Sequence, residues 1–124
     1  MNPAAIKNRT KEFAKKVIEL CRELPNNREG RLIGNQLFKS GTSVAGNYRA
    51  ACRGRSKAEF VSKLGMVLEE ADETMFWLEL IDEMAIHGGS SVGFLMQECD
   101  EITAIMVTSI KTAKRCKKDR ESNP

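Results

Sequence analysis

The chain has 124 residues, of which 41% are hydrophobic and 30% are charged, and its formal net charge is +3. This length and composition predict one globular domain with a buried core. No apolar run is long enough to cross a membrane, and the first residues, MNPAAIKNRT, lack the apolar segment of a signal peptide, so we expect a cytoplasmic protein without a membrane partner. Four separated cysteines and a single histidine show no metal-ligand spacing, so we expect free thiols and no metal or other cofactor.

Apolar residues recur at intervals of three and four along nearly the whole chain, which predicts helices rather than strands. The first helix is predicted over about residues 3–24, with Asn2 as its N-cap. The second is predicted over about residues 28–53. Its glycines include Gly34 and Gly41 on one face, where they either allow another helix to approach closely or mark a local break near Gly41.

A corner between two helices follows. Gly54 lies where the end of a helix takes a left-handed conformation, and Ser56 with Glu59 has the pattern of a capping box. The third helix is predicted over about residues 57–87 and the fourth over about residues 91–117.

These four helices form one predicted domain at residues 1–118, followed by a disordered tail at residues 119–124. Four amphipathic helices joined by short loops pack most simply as an all-α, up-down-up-down antiparallel four-helix bundle. This topology brings the start of the first helix, the corner between the second and third helices, and the end of the fourth helix to the same end of the bundle.

Charge is distributed unevenly along the chain. Residues 1–65 carry 14 basic and 5 acidic residues, residues 66–101 carry 10 acidic and no basic residues, and residues 102–124 carry 6 basic and 2 acidic residues. The bundle topology therefore predicts a basic end. The candidate nucleic-acid-binding residues are Lys11, Lys15, Lys16, Arg49, Arg53, Arg55, Lys57, Lys114, Arg115 and Lys118.

Two interpretations of the basic end stay open. Basic residues in the last turn of a helix interact favourably with the helix dipole, and a run of charge is often only a solvated surface. Basic residues at the start of the first and third helices oppose the dipole, however, which favours a polyanion as their reason. Tyr48 is the one aromatic residue nearby, so we expect contacts to RNA or DNA backbone that weaken with salt, rather than base stacking.

The third helix has a second apolar stripe on the side away from its core residues. Large apolar residues with acidic neighbours are typical of the centre and rim of a protein interface. The candidate oligomer-interface residues are Met66, Phe76, Trp77, Leu80 and Met84. We therefore expect a homo-oligomer. The same surface, together with the acidic half of the bundle, supports an alternative function as a scaffold that binds protein partners.

Several segments resemble a known family, among them NYRAACRGRS at residues 47–56 and EEADETMFWLEL at residues 69–80. Over about residues 10–115 the chain is similar to the bacterial four-helix-bundle proteins named after intervening sequences in 23S ribosomal RNA genes. The resemblance implies a left-handed up-and-down bundle, a homopentameric ring and no enzyme activity. By analogy with the pentameric accessory protein of diversity-generating retroelements, it also points to an RNA-associated role. The segment SVAGN at residues 43–47 departs from the proline-containing segment of many members, which suggests a subgroup.

Enzyme sites find little support in the sequence. Glu83 and His87 have a spacing that could share a metal, but a di-metal site in a bundle needs a second helix with Glu and His, and the chain has one histidine. No glycine-rich phosphate loop and no nucleophile with a partnered base can be identified. We therefore expect a non-enzymatic protein without catalytic residues, in which His87 belongs to the end of a helix.

Overall fold

The computed structural model describes the backbone of residues 2–122 and the side chains of residues 2–115. Within this part of the chain there are four helices and no strands. The helices are α1 (Pro3–Glu23), α2 (Arg28–Cys52), α3 (Lys57–Glu83) and α4 (Ser91–Ser122). Successive helices pack along each other, and α1 also contacts α4, although much less extensively. The prediction of an all-α four-helix bundle is confirmed.

All four helices contribute to a single apolar core. Phe13, Leu37, Leu64 and Met106 are examples of side chains from each helix that are fully buried. They lie at the three- and four-residue spacing that predicted the helices. Burial of each such side chain stabilises the fold by about 1.5–3 kcal/mol relative to leaving it in water.

Helices α1 and α2 begin and pack as the sequence predicted. The Asn2 Oδ1 atom accepts a hydrogen bond from the Ala5 N–H at 2.8 Å, which confirms the N-cap of α1. Helix α2 is continuous through Gly41. A Cβ atom at this position would lie 2.7 Å from Cγ1 of Val17. The glycine therefore allows close packing of α1 on α2, and the alternative of a local break is wrong.

The corner between α2 and α3 is held by capping hydrogen bonds. Ser56 Oγ accepts a bond from the Glu59 N–H at 3.1 Å, and the Glu59 carboxylate accepts one from the Arg55 N–H at 3.0 Å. The capping pattern is confirmed, with the carboxylate reaching one residue further back than the N-cap. The predicted left-handed conformation of Gly54 is wrong, because no described glycine has a positive φ. A Cβ atom there would lie 3.1 Å from the Ala51 carbonyl oxygen, so close backbone approach explains the glycine.

The sequence predicted that α3 would end near residue 87, but the helix ends earlier, at Glu83. Ala85 has a φ of 53°, and the N–H groups of Ile86 and Ala85 donate to the carbonyl oxygens of Ile81 at 2.9 Å and Asp82 at 3.1 Å. This pair of hydrogen bonds is the Schellman motif, which ends a helix through one left-handed residue.

Helix α4 runs past its predicted end near residue 117 and continues to Ser122. The predicted disordered tail at residues 119–124 is thus helical as far as Ser122, and residues 123–124 lie outside the described part. Within the described residues, none of the helices combines the length and the apolar character needed to cross a lipid bilayer.

Candidate nucleic-acid interface

An open groove of about 960 Å³ occupies one end of the bundle. Pro3 of α1, Gly54 of the α2–α3 corner and Ala113 of α4 all line it. Three parts of the chain that are distant in sequence therefore meet at this end, as the up-down-up-down topology predicted. We call it the corner end, after the α2–α3 corner that it contains.

Three cations of the corner lie at this end. Arg55 and Lys57 line the groove, and Arg53 is the exposed C-cap residue of α2. Among the side chains of residues 2–115, none of these three forms an ion pair. Their positive charges are not neutralised by a nearby carboxylate in that part of the chain.

A smaller hollow of about 370 Å³ lies between α1 and α2. Lys7, Lys11 and Arg49 line it, and none of them has an ion-pair partner among the described side chains. Arg49 directly follows Tyr48, and Lys7 directly follows Ile6, and both of these preceding residues line the groove, so the hollow lies at about the same level along the bundle as the groove. Lys7 lies with the candidate residues, as its position at the start of the first helix and its spacing of four residues from Lys11 predict.

Lys15 and Lys16 do not lie beside the cations of the groove or of the α1–α2 hollow. Lys15 Nζ lies 3.0 Å from Glu12 Oε1, within α1. Lys16 Nζ lies 4.5 Å from the centre of the Phe94 ring, which is a cation–π distance. Because Phe94 belongs to the first turn of α4, at the opposite end of the bundle, Lys16 lies far from the corner end.

Lys114 and Arg115 are exposed on α4, immediately after the groove-lining Ala113. They therefore extend the positive charge of the corner end along α4. Lys118, the remaining candidate residue, lies outside the side chains that the structure describes.

Arg9 is a basic residue of α1 whose charge is compensated within the fold. Its guanidinium donates to both carboxylate oxygens of Glu98, at 3.0 and 2.6 Å, and to Glu101 at 3.1 Å. The hydrogen bond from Arg9 lowers the pKa of Glu98, and the same bond raises the pKa of Arg9. Arg9 thus joins α1 to α4 and is not available to an external anion.

The sequence model of the family described as 23S rRNA-intervening sequence protein matches residues 4–108. The chain belongs to this family. A crystal structure of a protein of unknown function from the S23 ribosomal protein family of Bacteroides thetaiotaomicron VPI-5482 is 31% identical to it, with a TM-score of 0.82. That similarity covers 90% of this chain and 99% of the other. No curated protein matches. The resemblance noted in the sequence is confirmed.

In this 23S rRNA-intervening sequence protein, the candidate interface residues of α3 differ in exposure. Met66, Phe76 and Met84 are 41%, 52% and 65% exposed, whereas Trp77 and Leu80 are half-buried and Trp77 packs against the core. The rings of Phe76 and Trp77 meet edge to face, with centres 4.9 Å apart. The outer face of α3 therefore carries exposed apolar side chains next to half-buried ones, of which Trp77 packs against the core.

His87 of this 23S rRNA-intervening sequence protein lies in the loop after α3 and not within the helix. Its Nδ1 atom accepts a hydrogen bond from the Gly89 N–H at 3.1 Å, and its Nε2 atom lies 3.5 Å from Glu23 Oε1 of α1. In the part of the chain with described side chains, no three His, Cys, Asp or Glu residues are placed to hold a metal ion.

The thiols of Cys21, Cys52 and Cys99 are free in this protein. Burial raises the pKa of Cys21 to about 11 and that of Cys99 to about 12. The Cys99 Sγ atom donates a hydrogen bond to the Ala71 carbonyl oxygen at 3.2 Å, which links α4 to α3. These two thiols are parts of the core, while Cys52 lines the groove at the corner end.

Proposed function

We propose that this protein is a non-enzymatic, oligomeric accessory protein that binds RNA or DNA backbone through the corner end. The observation that supports the proposal is that two basic sites, Arg53 with Arg55 and Lys57, and Lys11 with Arg49, lie towards the same end of the bundle without ion pairs among the described side chains. A cluster of uncompensated cations on one face is the electrostatic pattern of proteins that bind phosphates.

The helix dipoles account for only some of these cations. Arg49 in the last turn of α2 and Arg53 at its C-cap are favourably placed, whereas Lys57 is the first residue of α3. The N-terminus of a helix carries partial positive charge, so basic residues there are unfavourable by some tenths of a kcal/mol each, about 0.3–1 kcal/mol. An external polyanion would turn this cost into binding energy.

Contacts to phosphates rather than bases are proposed because the corner end lacks an exposed aromatic platform among the described side chains. Tyr48 is only 1% exposed, and Phe60 is half-buried. Without bases stacked on aromatic rings, affinity depends on neutralising phosphates and falls steeply as salt rises.

The test compares two variants of equal net charge. The first, Lys11→Glu/Arg49→Glu/Arg55→Glu/Lys57→Glu, reverses the two basic sites. The second reverses four exposed cations elsewhere and is Arg22→Glu/Arg28→Glu/Arg31→Glu/Lys39→Glu. Binding of a single-stranded RNA is measured by fluorescence anisotropy over a range of salt concentrations.

We expect the corner-end variant to lose binding and the control to retain most of it. If four phosphate contacts are lost, the slope of log K against log salt should become shallower by about 3, at about 0.7 per contact on single strands. Equal losses in both variants would show that only net charge matters and would contradict a site at the corner end.

We further propose that copies of the chain associate through the outer face of α3. The exposed Phe76 and Met84 beside acidic residues support this, and the family resemblance implies five subunits. Phe76→Glu/Met84→Glu should give a smaller species by light scattering, whereas Leu32→Glu/Phe38→Glu, at two exposed apolar residues of α2, should not. An unchanged mass in the α3 variant would contradict this interface.

A scaffold for protein partners is the second candidate function, and the same exposed face of α3 favours it. Affinity capture with the native chain separates the two. Recovery of nuclease-sensitive material supports the nucleic-acid accessory, while recovery of proteins that survive nuclease treatment and are lost with Phe76→Glu/Met84→Glu supports the scaffold.

A further inference from the structure

The groove at the corner end has a largely apolar interior. Ile6, Tyr48, Phe60 and Ile105 line it, together with small side chains of α2 and α4. Its volume of about 960 Å³ is near the upper end of sites that hold small molecules, which range over ~300–1,000 Å³ and are mostly apolar with a few polar groups. A purely phosphate-binding surface does not need such an interior.

Helices α1 and α4 contribute unequally to the walls of the groove. Only Pro3 and Ile6 of α1 reach the groove, whereas α4 lines it from Ala104 to Ala113, a length of about 14 Å. The long wall of the groove is therefore a face of α4.

The charge in this groove is confined to one side. Among the side chains of residues 2–115, Arg55 and Lys57, both from the corner, are the charged residues of its lining. The α4 wall contributes apolar groups and the hydroxyls of Thr108, Ser109 and Thr112. The groove thus offers a long apolar surface with two cations at one place, which complements a molecule with one anionic head and one apolar tail.

We propose that this groove binds a single-chain amphiphile with a carboxylate head, a fatty acid of about twelve carbons, whose length matches the α4 wall. Its chain lies against Ile6, Phe60 and Ile105, and its carboxylate pairs with Arg55 and Lys57. An acidic amphipathic helix is a poorer match, because it would place charges along its whole length and meet cations only at the corner. The inference goes beyond the proposed nucleic-acid function, although both use Arg55 and Lys57.

Titration calorimetry with dodecanoate, kept below the concentration at which it forms micelles, tests the proposal. Its extended chain is about as long as the groove, ~14 Å. We expect saturable binding of one molecule per subunit. Decanoate, with two fewer methylenes, should bind roughly 15-fold more weakly, since each buried methylene contributes about fourfold. Dodecanol should bind at least about tenfold more weakly, because it lacks the charged head.

Two variants test separately how the apolar chain and the carboxylate of the fatty acid contribute to binding. Thr108→Trp fills the groove from the exposed α4 wall and leaves both cations in place, so it should weaken dodecanoate binding at least about tenfold without changing RNA binding. Arg55→Gln/Lys57→Gln should weaken dodecanoate but not dodecanol. Arg31→Gln/Lys39→Gln is the control with the same loss of charge elsewhere. Circular dichroism checks folding, and Ala104→Trp replaces Thr108→Trp if the latter does not fold.

Two results would overturn the proposal. The first is the absence of saturable dodecanoate binding, and if a groove-filling variant then also has fewer subunits, the groove is assigned to a second copy of the chain. The second is unchanged dodecanoate binding in both groove-filling variants. RNA binding is scored separately with Lys11→Glu/Arg49→Glu, two cations outside the groove, so either function can fail without the other.

Discussion

Helix α1 packs on its two neighbours by different physical means. Against α2, Val17 lies over Gly41, so close that a methyl group on the glycine would collide with it. Against α4, whose contact with α1 is much less extensive, Arg9 forms hydrogen-bonded ion pairs with Glu98 and Glu101. The comparison indicates that the α1–α2 contact depends on volume, while the α1–α4 contact depends on charge and hence on pH.

The largest expected effect comes from adding volume between α1 and α2. Gly41→Ala should reduce the free energy of unfolding by about 1–3 kcal/mol, because the new Cβ overpacks against Val17. Gly46→Ala is the control, since an added Cβ there meets nothing within 4 Å. It should instead stabilise α2, by up to about 1 kcal/mol, through its better helix propensity. Urea denaturation measures both, and stabilisation by Gly41→Ala would contradict the close packing.

The next effect comes from removing charge between α1 and α4. Arg9→Met keeps the aliphatic stem but leaves the half-buried Glu98 without its bidentate partner, so we expect a loss of about 1–2 kcal/mol. Lys15→Met, which removes the exposed pair with Glu12, should cost less than about 0.5 kcal/mol. Equal losses in the two variants would mean that the α1–α4 ion pair contributes no more than a surface pair.

The pH dependence should reveal the same ion pair with a smaller effect. The pKa of Glu98 is lowered from its ordinary value of 4.5, chiefly by the hydrogen bond from Arg9. A lowered pKa in the folded state stabilises the protein above about pH 4.5, and this contribution is lost as the pH falls through the folded pKa. The difference in unfolding free energy between the original protein and Glu98→Gln should therefore be constant near pH 7 and shrink below pH 4.5. A difference that does not shrink as the pH falls below 4.5 would contradict this linkage.

The smallest effect concerns the loop that leads from α3 into α4. Ala85 has a φ of 53°, a left-handed conformation that glycine adopts without steric cost. Ala85→Gly should stabilise the protein by about 0.5–1 kcal/mol, with the contact between α1 and α4 unchanged. Thermal denaturation alone and in combination with Arg9→Met tests this. Additive effects are expected, and a destabilising Ala85→Gly would exclude strain at this residue.

The helices could be predicted from the sequence because their signals are local. The Asn2 cap and the Ser56 and Glu59 capping pair act over a few residues, and the core positions follow the period of one helix. The end of α3 could not be predicted, because Ala85 carries no sequence signal for a left-handed conformation. The prediction for Gly54 was wrong because a glycine in the sequence can indicate either a positive φ or a close approach of the backbone, and the sequence does not distinguish the two.

The basic end was predicted from topology, but the positions of Arg9 and Lys16 outside it were not. Arg9 and Glu98 are 89 residues apart in sequence, and their pairing depends on which faces of α1 and α4 meet. The contact between Lys16 and the Phe94 ring likewise depends on the positions of these two residues along the bundle axis. The groove could not be anticipated at all, because it results from how α1, α4 and the α2–α3 corner lie in space and not from any motif.

The hydrogen bond from the Cys99 thiol to the Ala71 carbonyl oxygen has a practical consequence. With its pKa raised to about 12 and no access to solvent, this thiol should resist alkylation for as long as α3 and α4 remain together. The rate at which an alkylating reagent modifies Cys99 would then report how often local unfolding exposes this thiol to solvent. Alkylation of Cys99 can therefore be used to measure how often α3 and α4 separate.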